Sequence, residues 1–212
     1  MAMSLKSKSK SKSKSKCFLV TTPLESSWHL DDYTIFLGEW CQKPDRKKIW
    51  SSMSSEIAKP YGLNYEQRIA DIDECHKFYE ILIKEIARKL NGLHKTNHSL
   101  RYWTILVGPW LHSFILVVLN RYKTLEAVLK TNNISETTLL IKDGFDLTSI
   151  DYSNFREKIN CHLWNNILYV DLLSNMKGHC IKIDVKNIDA DPHEVIVKKF
   201  NVKVLVKKLL LK

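Results

Sequence analysis

Glycine is scarce in this chain, with six residues in 212, and proline scarcer, with five. The patterns that these residues fail to form matter more than their number. No GxGxxG follows an apolar run and no GxxxxGK[ST] loop occurs, so a phosphate cradle of the usual dinucleotide or ATP type is excluded. HExxH and GxSxG are missing too, which removes zinc-helix proteases and nucleophile-elbow hydrolases. The five cysteines are odd in number and never spaced CxxC; this argues against a disulfide framework or zinc site and fits a reducing compartment. No metal and no cofactor is expected.

Acid is also in short supply. The net charge is +10, a value that suggests nucleic acid or membrane until the charge is located. Residues 1–16 carry six lysines and no acid, and residues 182–212 carry eight lysines against four acids. The stretch 17–181 is therefore neutral. A groove that tracks phosphates needs cations clustered on the folded body, so nucleic acid is not an expected partner.

What is present divides the chain into three. Residues 1–16 alternate Ser and Lys, cannot bury apolar area, and are expected to be a disordered tail. Residues 17–181 read as an α/β domain. Residues 182–212 read as a basic C-terminal extension, cut short within an element. Inside the domain, 17–22 (CFLVTT) and 33–37 (YTIFL) are short buried strands, and Thr138 to Ile141 is a third candidate. Residues 65–91 place Ile69, Ile72, Tyr79, Leu82, Ile83, Ile86 and Leu90 at helical steps, with Asn64 as N-cap and Gly92 at the end. Residues 99–122 are apolar almost throughout and long enough to cross a bilayer. Gly108-Pro109 and the following His112 and Ser113 favour a buried, kinked core helix instead. Residues 154–176 predict one further helix, and 180–185 and 195–206 alternate as strands do.

Ligands of α/β folds gather at the carboxyl ends of strands. Thr21, Thr22 and Glu25 follow the first strand; Glu39 and Trp40 follow the second. Parallel neighbouring strands would put all five on one rim. His98 and Arg101 open the apolar helix, where Arg101 could pair with Glu39 or hold a phosphate. The expected substrate-binding residues are thus Thr21, Thr22, Trp40, His98 and Arg101, and the expected general bases are Glu39 and Glu25. Of the two DxD triplets, Asp71/Asp73 lies mid-helix on diverging faces and Asp189/Asp191 in an acidic turn; neither is expected to hold metal.

Residues 18–28 (FLVTTPLESSW), 36–41 (FLGEWC), 98–111 (HSLRYWTILVGPWL) and 162–169 (HLWNNILY) together resemble the N-terminal region of a bacterial transferase family encoded among O-antigen and other surface-carbohydrate genes. The resemblance implies a Rossmann-like N-terminal domain of a glycosyltransferase-like protein of GT-B type. It implies transfer of a sugar or related group onto a surface glycan, in lipopolysaccharide or other surface polysaccharide biosynthesis. The expected partners are a sugar or glycan acceptor and a nucleotide-sugar donor held by a missing C-terminal region, so that this chain alone would be inactive. The expected place is the cytoplasm, peripheral at the inner membrane. The alternative is a non-catalytic membrane-surface or partner-binding module that uses both basic ends on anionic lipid.

Overall fold

A computed structural model describes residues 17–188. Five strands, β1 (Cys17–Val20), β2 (Thr34–Phe36), β3 (Ser55–Ile57), β4 (Ile134–Ile141) and β5 (Lys182–Asn187), form one sheet in the order β3-β2-β1-β4-β5. Every neighbouring pair is parallel. Five helices accompany them: α1 (Lys47–Trp50), α2 (Tyr65–His94), α3 (Leu100–Thr131), α4 (Tyr152–Lys158) and α5 (His162–Asn175). The architecture is α/β and consistent with a Rossmann-like fold.

The central strand is the one with no polar residue. All four side chains of β1 and all three of β2 are buried, as parallel strands covered on both faces require. β3 is short, partly exposed and without an apolar run, so nothing in the sequence marks it as a strand. It is recruited by pairing, with Ile35 opposite Glu56 and Phe36 opposite Ile57. β5 pairs with β4 from Glu136–Lys182 to Ile141–Asn187, and the sheet therefore continues past residue 181. The Ser-Lys segment 1–16, the Asp189/Asp191 triplet and the alternating stretch 195–206 lie outside the described residues.

α2 begins where the sequence places it, with the Asn64 side chain accepting from the Gln67 amide at 3.0 Å. It runs past Gly92 to His94 and closes on Lys95, whose φ of 54° is left-handed. Asp71 is half-buried rather than solvated, because its carboxylate accepts from the Tyr61 hydroxyl at 2.7 Å. Ser99 caps α3, accepting from the Tyr102 amide at 3.2 Å.

The apolar helix departs from expectation. α3 is not a core helix along its length: only 33% of its most apolar window is buried. Its C-terminal half, through Leu125, Val128 and Leu129, joins the main core with β1 and β2. Its N-terminal turns pack against α2 and make a second, smaller core of Cys75, Leu82, Ile83, Leu111 and Ile115. The opposite stripe of those turns is bare. Glycine at 108 permits the close approach of the two helices, since a Cβ there would lie 2.5 Å from the Tyr79 hydroxyl.

The predicted helix 154–176 is two helices, because asparagines hold a break open. Asn160 donates its side-chain N–H to the Arg156 carbonyl at 2.9 Å, ending α4. Asn165 donates to the carbonyls of Ile159 and Cys161 at 2.8 and 2.9 Å. These side chains satisfy backbone groups that a continuous helix would have paired internally.

Candidate functional site

The strand order reverses direction beside β1: the chain proceeds from β1 outward to β2 and β3, then crosses to β4 on the other side. Such a switch point leaves a crevice beyond the carboxyl ends of the two central strands. A cleft of about 260 Å³ opens there, lined by Thr21, Thr22, Pro23 and Trp40 from the β1 and β2 ends, Arg121 from α3, and Ile159, Asn160, His162, Asn165 and Tyr169 from α4–α5.

Its floor is built by satisfying the loose backbone at the end of β1. The Trp28 indole donates to the Thr22 carbonyl at 3.1 Å, and the Trp40 indole to the Thr21 carbonyl at 3.3 Å. Trp40 remains 49% exposed, so its ring both closes the strand end and offers a flat face to the cleft. Gly38 makes room for it, because a Cβ at that position would overlap the indole. Gly38→Ala should therefore swing the ring away from the cleft, raising its exposure to water and costing about 1 kcal/mol of stability for the lost hydrogen bond. Indole fluorescence and thermal melting would read the two effects separately.

Thr21 and Thr22 are both buried. Thr21 Oγ1 accepts from Asn166 Nδ2 at 3.1 Å. Arg121 is fixed on three sides. Its Nε donates to Asn165 Oδ1 at 3.1 Å, its Nη1 to Asn120 Oδ1 at 2.8 Å, and its guanidinium lies 5.9 Å from the Tyr169 ring centroid. Of five N–H groups, three stay available for a ligand. The first turn of α5 faces the same space through His162, so the unpaired amides of that turn add to the positive field.

Burial, seconded by the charge of Lys43, depresses the His162 pKa below its ordinary value of 6.5. The imidazole is hence neutral at pH 7 and able to accept a proton. Cys41 beneath the floor is a different case: burial raises its thiol to about 12, and its Sγ lies 3.5 Å from the Val20 carbonyl, so it is an inert filler.

The cleft brings together three of the seven expected site residues, Thr21, Thr22 and Trp40. Glu39 is exposed next to Trp40 on the rim, in the turn Glu39–Cys41. Glu25 follows β1 as expected, but its carboxylate is bound by Arg46 Nε at 2.7 Å. His98 and Arg101 do not line the cleft. They sit at the α2–α3 turn, and the twenty residues of α3 from Arg101 to Arg121 span roughly 30 Å at the helical rise. The shared polar edge of Glu25, Glu39 and Arg101 does not form, and Arg121 is the cation in the cleft instead. Asn160, His162 and Asn165 also line the cleft and are not among the seven expected residues.

Residues 17–211 match the LIC12162 family transferase pattern. The chain belongs to the LIC12162 transferase family. No curated protein and no solved structure matches it. In this transferase the match covers the whole described α/β sheet, cleft included. Among the described residues no group of three or more His, Cys, Asp or Glu side chains could hold a metal ion.

Proposed function

We propose that this transferase domain binds the glycan acceptor of a glycosyltransferase-like reaction in bacterial surface polysaccharide or O-antigen synthesis, on the cytoplasmic side of the membrane. The observation that supports this most is the composition of the switch-point cleft. Among the described residues it offers one flat indole, several neutral polar groups (Thr21, Asn160, Asn165) and a single cation, Arg121. Aromatic faces stack on sugar C–H surfaces, amides and hydroxyls pair with sugar hydroxyls, and an arginine fork holds a carboxylate or phosphate substituent. In this reading the nucleotide-sugar donor binds outside this cleft, in a GT-B-type division of labour, and the lack of a GxGxxG or GxxxxGK[ST] loop in the sequence agrees with that.

In this reading an acceptor hydroxyl lies against His162, which takes its proton as the oxygen bonds to C1 of the donor sugar and the C1–O bond to the nucleoside diphosphate breaks, releasing that diphosphate. Glu39 on the rim is the second candidate base, and Glu25 a weaker one because Arg46 occupies it. Saturation-transfer NMR with acidic and neutral oligosaccharides should show contacts to the Trp40 indole, and calorimetry should show little affinity for nucleotide sugars. Tight binding of a nucleotide sugar in this cleft would reverse the assignment.

Protonation gives an independent check. Since folding lowers the His162 pKa, the native state resists its protonation, so its contribution to stability is complete above about pH 6.5 and is lost as pH falls below that value. Transfer should decline along the same acidic limb. His162→Gln should abolish that limb and reduce transfer about 100-fold, the lower end of the usual contribution of a general base. A pH–rate profile unchanged by the substitution would leave Glu39 as the base.

A further inference from the structure

The turn joining α2 to α3 is as unusual in charge as in burial. Residues 86–125 contain no acidic side chain at all. Around the turn Arg88, Lys89, Lys95 and Arg101 are exposed, and none has an ion-pair partner among the described residues. Among these cations stand bare apolar side chains: Leu93 is 73% exposed, Ile105 66% and Leu106 56%. On α3 the exposed positions Tyr102, Ile105, Leu106 and Pro109 recur at three- and four-residue steps, opposite the buried Trp103 and Leu111. This is one continuous stripe, not scattered exposure.

The turn is also braced. Asn91 Oδ1 accepts from the Thr96 hydroxyl, the His98 amide and the Trp103 indole at 2.9 to 3.0 Å, while its Nδ2 donates to the His98 carbonyl at 2.9 Å. His98 stacks on Tyr102 with ring centroids 4.0 Å apart. The apolar side chains are thus held outward by a fixed scaffold rather than left on a loose loop.

We propose that this helical turn dips into the interface of an anionic lipid bilayer, with Leu93, Ile105 and Leu106 among the acyl chains and the cations at the headgroups. The charge decides between occupants. A second copy docked on the same surface would oppose eight like charges, whereas an anionic leaflet attracts all four from each chain. Arginine and lysine stems lie along apolar surface while their heads stay in water, and tyrosine is at home at that depth. The site uses neither basic end of the chain. It is independent of the sugar-binding cleft, and failure of either leaves the other standing.

The test uses the full chain and vesicles of phosphatidylcholine alone or with phosphatidylglycerol added. Hydrogen exchange should show residues 88–106 protected by the anionic vesicles only. Ile105→Ser with Leu106→Ser, both at exposed positions, should lower vesicle partitioning at least tenfold with an unchanged circular dichroism spectrum, and Lys95→Gln with Arg101→Gln should lower it while flattening its salt dependence. Protection confined to residues 1–16 or 189–212 would overturn the proposal. So would equal partitioning of the double-serine variant, or protection of 88–106 that grows with protein concentration in the absence of lipid.

Discussion

Asn166→Leu should destabilise the domain by roughly 3–5 kcal/mol. The reason lies in unequal strands. β1 has four residues and β4 has eight, and their pairing ends near Leu19–Thr137. Beyond that point β4 has lost its neighbour on one side. The Asn166 side chain takes the place of the missing strand: its Oδ1 accepts from the Leu140 amide at 2.8 Å and its Nδ2 donates to the Thr138 carbonyl at 2.9 Å. The same Nδ2 donates to Thr21 Oγ1 at 3.1 Å. All of this occurs at a fully buried residue. Leucine has the volume but no polar atoms, so two backbone groups and one hydroxyl would be left dry and unpaired, at about 1–3 kcal/mol for each group. Denaturant midpoints at constant m would measure the loss. Asn166→Asp distinguishes hydrogen bonding from packing. A buried carboxylate facing a carbonyl has its pKa raised, so this variant should be less unstable below about pH 4 and worsen as pH rises through the carboxylate range. A loss under 1 kcal/mol for Asn166→Leu would mean that the strand end is solvated and the cleft floor is not fixed.

Asn166 also shows where the sequence could be read and where it could not. The long elements were legible because their signals are local. Periodicity and the Asn64 cap delimit the start of α2, and the apolar runs of β1 and β2 need no partner to be recognised. β3 was invisible, since a three-residue strand with a serine and a glutamate owes its state to Thr34–Phe36 alongside it. α3 misled for a related reason. Hydropathy measures what a helix could bury, while actual burial depends on how many neighbours reach it, and α2 covers only one face. For the site, Thr21, Thr22 and Trp40 were accessible through the strand-end rule, which depends only on local order along the chain. Arg121, Asn160 and His162 were not, because they reach the cleft across intervals that only the tertiary crossover brings together.

Arg121→Gln should weaken binding of an acidic sugar in the cleft about 100-fold. Among the described residues the guanidinium is the sole cation lining that space, and its orientation is set by Asn165, Asn120 and the Tyr169 ring before any ligand arrives. A ligand that meets a pre-oriented fork forms two parallel charged bonds without further ordering of the side chain. Losing both is worth about 3 kcal/mol, which is the stated factor. Lysine should rescue little: an ammonium cannot keep the Asn165 bond, lie against Tyr169 and present two donors at once. Titration of a sugar 1-phosphate and of the neutral sugar against wild type and both variants separates charge from shape. The neutral sugar should lose only a few-fold in either variant, because Trp40, Thr21 and Asn160 are untouched. Equal weakening of both ligands would instead mean that Arg121 shapes the cleft and does not bind an anion in it.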